Sequence, residues 1–208
     1  MKDRKEEILM ATLELAAQKG MGSISMSMIA DKVGIKKPSL YNHFSSKEEI
    51  VHEMYRFLRE RAKNRKNVAV VDYATLFEGK TALEILQTVV RNYDTMNHDK
   101  DMRMFYQVIY SERSIQPMAA KIMAEETEKM MLATKQLLYA LQVHGLLSFQ
   151  NPDMSATTFA FTIHGLMEYQ TDFEFGKKET GKKKELMQEY LRWFCEENAP
   201  IQKEGLRL

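Results

Sequence analysis

The chain has 208 residues with a formal net charge of +1, long enough for one large core or two small ones. Nine Gly and four Pro are few for this length, whereas the good helix formers Leu, Met, Glu, Lys and Gln abound, which excludes an all-β architecture. The lone Cys195 cannot form an internal disulfide, no charged-then-apolar leader opens the chain, and the longest charge-free run, Gln136 to Pro152, is too short and polar to span a bilayer; the expectation is a protein neither exported nor membrane-embedded, in a reducing, cytoplasmic setting.

Asp3 to Lys19 reads as an amphipathic helix, with Ile8, Ala11, Thr12, Leu15 and Ala16 along one stripe and Gly20 and Gly22 ending it. Ser25 then N-caps a short helix whose apolar face is Met28, Ile29 and Val33, closed by Gly34, which tolerates a left-handed conformation. Ile35 plugs the turn, and Pro38 falls in the first turn of the next helix, where a missing amide is harmless. There Leu40 and Phe44 point one way, leaving Ser39, Tyr41, Asn42 and His43 for another surface. Lys36 and Lys37 stand at the entrance of this helix, where ammonium groups and backbone amides suit phosphate oxygens. Ser46 and Glu49 make a capping box that starts a longer helix at Lys47, running to about residue 66 with Ile50, Val51, Met54, Phe57 and Leu58 on its apolar face.

Residues 67–80 break the periodicity with the β-branched cluster Val68 to Val71 and read as a loop or distorted helix. Helix resumes from Thr81 to Met96, and the polar run Asn97 to Asp101 forms a turn before another helix from about Met102. Pro117 opens a long helix ending near His144, with Gly145 close behind. Asn151-Pro152-Asp153 separates it from a helix over Ser155 to Phe175, and a basic, glycine-punctuated linker leads to a last helix over Lys184 to Glu197. There is no internal repeat.

The pattern Ser25, Ile29-Ala30, Gly34, Tyr41, Phe44 and Lys47 resembles the N-terminal DNA-binding domain of the TetR family of transcriptional regulators. Two positions depart from that pattern: Lys36 stands where the family often has a capping Ser, and Pro38 where a small residue such as Gly is common. The resemblance implies an all-α fold of about nine helices. A three-helix, helix-turn-helix head (1–46) would be joined by a connecting helix (47–66) to a larger ligand-binding and dimerization body within 47–208. It implies a double-stranded DNA operator as partner, with Tyr41, His43 and Lys47 on backbone phosphates beside Lys36 and Lys37, and Ser39 and Asn42 within reach of base edges. The charge distribution agrees: residues 1–66 carry 14 Lys plus Arg against 9 Asp plus Glu, and the remainder 16 against 20.

Of the 16 Met, Met96, Met102, Met104, Met118, Met123, Met130, Met131 and Met167 lie in the body, and thioethers can line an adaptable apolar cavity. A small, largely apolar effector is expected among Met96, Met102, Phe105, Met123, Met130, Phe161 and Met167, with the polar Glu126 and His164 on otherwise apolar stripes. His164 and Glu168, four apart, share a helix face and read as either a ligand-orienting pair or a satisfied core histidine. Phe159, Ile163, Leu166, Leu191, Trp193 and Phe194 on the last two helices exceed what one core needs and predict a four-helix homodimer interface. The five histidines have no metal-ligand spacing with one another or with Cys195, and no nucleophile elbow, P-loop or dinucleotide fingerprint occurs, so neither metal, cofactor nor enzyme activity is expected. The competing reading is a helical protein-interaction module with little or no specific DNA binding; such a protein would not need so many polar and cationic groups around one short helix.

Overall fold

The computed structural model describes residues 3–65, 73–97, 100–176 and 181–200, with the backbone alone described at 61–65, 74, 75, 94–97, 174, 175 and 181–184. Regular structure among the described residues is entirely helical. Ten α-helices follow one another: α1 (Arg4–Lys19), α2 (Met26–Val33), α3 (Lys37–Tyr41), α4 (Lys47–Arg65), α5 (Tyr73–Phe77), α6 (Ala82–Asn97), α7 (Lys100–Glu112), α8 (Pro117–Val143), α9 (Pro152–Phe175) and α10 (Gly181–Glu197). A single 3-10 turn, Met21–Ser23, precedes α2.

Helix ends follow local chemistry. Asp3 caps α1 by accepting from the Lys5 amide at 3.0 Å, and Ser25 caps α2 through the Met28 amide at 3.3 Å. At the start of α6, Thr81 and Glu84 form a reciprocal capping box: the Glu84 carboxylate accepts from the Thr81 amide at 2.8 Å, and the Thr81 hydroxyl accepts from the Glu84 amide at 3.3 Å. The α9 helix begins at Pro152, three residues before the Ser155 start read from sequence. Asn151 is a cap rather than part of a separating turn: its Oδ1 accepts from the Met154 amide at 3.1 Å, with Pro152 pre-set for the first helical position. The segment over 67–80 contains the five-residue helix α5; Val68 to Val71 lie outside the described residues. The polar run after Asn97 and the basic linker before Gly181 likewise fall partly outside them.

The chain forms two compact units, Met1–Val70 with Met96–Glu125, and Val71–Thr95 with Glu126–Leu208. A cut after residue 46 therefore does not coincide with compactness, because α7 and the first part of α8 belong with the N-terminal helices. In the first unit Ile8 and Leu13 of α1, Ile29 of α2, Leu40, Phe44, and Ile50, Met54 and Leu58 of α4 share one core with Phe105 and Ile109 of α7. Fully burying a side chain of this size contributes about 1.5 to 3 kcal/mol. Three such residues at i, i+4 and i+8 on α4 seat that helix along its length. In the second unit Ile85 and Leu86 of α6, Leu138 and Leu141 of α8, Phe159 and Ile163 of α9, and Leu191 and Phe194 of α10 make a separate core.

Candidate nucleic-acid interface

The site grows out of the turn between α2 and α3. Gly34 takes φ 74° and ψ 33°, a left-handed conformation that residues with a Cβ rarely adopt, and the Ile35 amide returns to the Ala30 carbonyl at 3.0 Å. The reversal brings α3 out against α2. Lys36 occupies the N-cap of α3 without a side-chain bond, and Pro38 lies in its first turn, so the start is held by proline geometry instead of the usual hydroxyl cap. Leu40 and Phe44 are buried, and this anchoring faces the rest of the helix outward. Ser39, Tyr41 and Asn42 are exposed beside Lys36 and Lys37, and His43 is half-buried. Tyr41 is 46% exposed, which removes the alternative that it serves as internal packing, and the Lys37 ammonium stands 6.0 Å from its ring centroid. The result is a short, rigidly backed helix carrying two cations, a hydroxyl, a phenol and a carboxamide on one open surface.

Lys47 is placed differently from its neighbours. Its Nζ donates to the backbone carbonyls of Met21 at 3.1 Å and Ile24 at 3.3 Å, bracing the 3-10 turn that leads into α2. One of its three donors is left for solvent or phosphate. At the first turn of α4, the Glu49 carboxylate accepts from both the amide and the hydroxyl of Ser45 at 2.6 Å, and the Glu49 amide donates to the Ser46 hydroxyl at 3.1 Å. The capping box thus closes one residue earlier than the Ser46–Glu49 pairing implies. The Ser45 bonds hold the Glu49 carboxyl below the usual carboxylate range.

The expected effector residues divide between the two compact units. Met102, Phe105 and Met123 belong to the first unit, while Glu126, Met130, Phe161, His164 and Met167 belong to the second; the side chain of Met96 lies outside the described residues. Phe105 is 1% exposed and stacks edge-on with Tyr55, so it is core, not cavity lining. Phe161, at 49% exposure, faces outward. His164 lies 3.4 Å from Glu168 across one helical turn, as their spacing requires, and Glu126 pairs with Lys129 at 2.9 Å near the surface.

The expected dimer residues divide in the same way. Phe159, Ile163, Leu191 and Phe194 are buried within a single chain, and Leu166 packs partly buried against them. An alternation of large apolar residues marks an amphipathic helix without saying whether its apolar side meets its own chain or another, and here its own chain takes it. Of that set only Trp193, 53% exposed, remains on the surface. Phe161 and Tyr169 on α9 and Leu186 on α10 accompany it as exposed apolar side chains that sequence reasoning did not assign there. The seven-residue spacings Met154–Phe161 and Leu186–Trp193 were the available signal.

In the second unit α6, α9 and α10 border a cavity of about 470 Å³, lined by Gln87, Val90, Arg91, Met167, Gln170, Met187 and Gln188. Met167 is the one expected effector residue among them. Gln87 Nε2 donates to Gln188 Oε1 at 2.7 Å, tying α6 to α10 across it. Among the described residues no group of three or more His, Cys, Asp or Glu could hold a metal ion, and no helix is long and apolar enough to cross a membrane.

Residues 8–54 match the family described as bacterial regulatory proteins, tetR family, and residues 84–195 match the AefR-like transcriptional repressor C-terminal domain. Over 53 residues the chain is 40% identical to the transcriptional repressor KstR2 of Mycolicibacterium smegmatis, a match covering 26% of each chain. The chain thus spans about a quarter of the length of the first curated relatives it matches. Its fold is that of a Mesorhizobium loti protein described as a TetR-family transcriptional regulator, with TM-score 0.68 and 18% identity over 94% of this chain and 96% of that one. It is also that of a Saccharomonospora viridis transcriptional regulator crystallised with choline, with TM-score 0.66 and 21% identity over 93% and 96%.

Proposed function

The chain belongs to the TetR family of bacterial regulators, DNA-binding transcription factors rather than enzymes, and from that premise we propose that it is a ligand-responsive repressor acting as a cytoplasmic homodimer on a near-palindromic operator. The observation that carries this reading is the exposed polar face of α3. Leu40 and Phe44 anchor the helix from behind, and Lys36, Lys37, Ser39, Tyr41 and Asn42 are held outward together. Cations and the phenol position the helix on phosphates, and the carboxamide and hydroxyl read base edges. One helix of this length reads too few base pairs for a unique site. A two-fold dimer with recognition helices about 34 to 36 Å apart places both in successive major grooves.

The outer faces of α9 and α10, bearing Phe161, Tyr169, Leu186 and Trp193, support a two-fold pairing of chains. An effector acts on such a dimer only by binding one head arrangement better than the other, and the coupling is reciprocal, about 1 to 3 kcal/mol. A gel shift with DNA from upstream of the protein's own gene tests the reading: the dimer retards that fragment in the presence of excess unrelated DNA. Equal retardation of both DNAs, or none, would favour the interaction-module alternative.

A further inference from the structure

Most lysines and arginines among the described side chains of residues 3–60 are held by partners within the chain. Arg4 pairs with Glu7, Lys32 with Glu14, Arg56 with Glu53 and Arg59 with Glu125, while Lys47 donates to two backbone carbonyls. Four remain whose ammonium groups meet no carboxylate at ion-pair distance and donate no hydrogen bond among the described residues: Lys5, Lys19, Lys36 and Lys37, all exposed. Lys36 and Lys37 stand at the start of α3. Lys5 belongs to α1, yet its Nζ lies 5.7 Å from the ring centroid of Phe44, three residues past the end of α3. An unengaged cation therefore flanks α3 at each end. Lys19 sits at the opposite end of α1, about 21 Å from Lys5 by helical rise.

The corner between Phe44 and α4 carries exposed Ser45, Glu48 and Glu49, and two carboxylates there would turn a phosphate away. The Ser45 amide and hydroxyl occupy Oε2 of Glu49, and the Lys5 ammonium acts on the same carboxyl as a further positive charge. We propose that Lys5 is a DNA-contacting residue: from α1 it supplies the phosphate contact at the C-terminal end of the recognition helix, as Lys36 and Lys37 do at its N-terminal end. A helix seated in a major groove about 12 Å wide meets a row of phosphates on either side, so cations at both ends hold it across the groove. The face of the Phe44 ring steadies the ammonium without accepting a conventional hydrogen bond, which leaves all three Lys5 donors for phosphate oxygens. The contact carries no sequence information of its own; it fixes the angle at which Ser39 and Asn42 approach the bases. The assignment rests on the reading of α3 as the recognition helix.

Fluorescence anisotropy of the full chain on two labelled duplexes, one from upstream of its own gene and one unrelated, at several salt concentrations, tests it. Lys5→Gln should lower the log–log salt slope by about 0.9 for each chain bound and weaken both duplexes by the same factor, with an unchanged melting temperature. Lys19→Gln removes the same charge from the other end of the same helix and should match wild type in slope and affinity. Lys5→Arg keeps the cation and should keep the slope. A Lys5→Gln slope equal to wild type would overturn the assignment, and so would equal losses in the Lys5 and Lys19 variants, which would mark a long-range effect of net charge. A Lys5→Gln variant that loses preference between the duplexes instead of overall affinity would overturn it as well. Failure of wild type to bind either duplex sinks the recognition-helix reading and this inference with it, whereas wild-type binding with an unaltered Lys5→Gln slope sinks the Lys5 assignment alone.

Discussion

The ring of Tyr55 on α4 stands edge-on against Phe105 on α7, centroids 5.5 Å apart and planes at 70°. Both side chains are buried, and Glu112, the only charged residue buried among the described residues, lies near enough to act electrostatically on the Tyr55 phenol. Four residues along α4, Arg59 reaches Glu125 of α8 at 2.6 Å. The helix that follows α3 is therefore fastened at two levels to helices from later in the chain. Edge-to-face packing contributes about 0.5 to 1.5 kcal/mol beyond area burial and fixes a rotational setting, which makes α4 a stiff extension of its own unit instead of a free linker.

Titration of Tyr55 gives the first prediction. Burial, with a smaller contribution from Glu112, pushes its phenol up to about 12 from an ordinary value near 10. A folded-state value above the unfolded one means stability that is fully present below pH 10 and lost as pH rises toward 12. Tyr55→Phe keeps the ring and removes the titration, so the gap between the wild-type and variant melting temperatures should narrow or reverse between pH 10 and 12. A gap constant across that window would show that Tyr55 ionisation carries none of the alkaline loss.

At Gly34 a Cβ would meet no atom within 4 Å, so a substitution there tests backbone strain alone. With φ at 74°, Gly34→Ala should cost about 1 to 2 kcal/mol in chemical denaturation, and Gly34→Asn less, because Asn tolerates the left-handed region better. The altered turn should also weaken operator binding beyond the stability loss, since it sets the entry into α3. An alanine variant as stable as wild type would remove the strain argument.

Much of the N-terminal region was legible because its signals are local. Ser25, Gly34 and Pro38 each act within a few residues of the helix end they define, and the structure has them in those roles, whereas Asp3, read as the first residue of α1, is its N-cap. The start of α9 was misjudged because Asn-Pro-Asp is consistent with both a turn and a capped helix, and only the Asn151–Met154 bond distinguishes them. The long-range assignments fared worst, for a physical reason. Burial periodicity identifies the apolar side of α9 and α10 but not its partner, so Phe159, Leu191 and Phe194 read as interface when they are core. Methionine abundance is equally silent on position: the cavity bordered by α6, α9 and α10 has two Met, Met167 and Met187, beside three Gln.

DNA contacts are expected to divide by residue. Lys37, exposed at the entrance of α3, should contribute one phosphate contact, and Lys37→Ala should weaken all sequences alike and reduce the log–log salt slope by about 0.9. Asn42→Ala should instead lose about 1 to 3 kcal/mol of preference for operator over unrelated DNA with little change in slope. Lys47→Ala should behave as neither: losing the bonds to Met21 and Ile24 should destabilise the fold by about 1 to 3 kcal/mol. Fluorescence anisotropy at several salt concentrations, with melts on the same samples, separates the three. A Lys47 variant of normal stability with a flattened slope would return that residue to the phosphate contacts.

Assembly provides a contrast between adjacent residues on α10. Trp193 is exposed and Phe194 is buried against Phe159, their ring centroids 4.6 Å apart. If the outer faces of α9 and α10 join two chains, Trp193→Glu combined with Phe161→Glu places carboxylates in a surface that meets its own copy across a two-fold axis. The resulting repulsion and lost apolar burial should yield a folded monomer of 24.3 kDa by light scattering, while wild type runs at about twice that mass. Operator affinity should fall with dimerization, because one recognition helix spans only one half-site. Phe194→Ala should instead lower the stability of each chain by about 3 to 5 kcal/mol, through the cavity it leaves, without selectively dissociating the dimer. Ile115→Glu, a charge at a comparably exposed apolar residue after α7, controls for the added charge and should leave the dimer intact. A Phe161/Trp193 double variant that remains dimeric would move the interface away from α9 and α10.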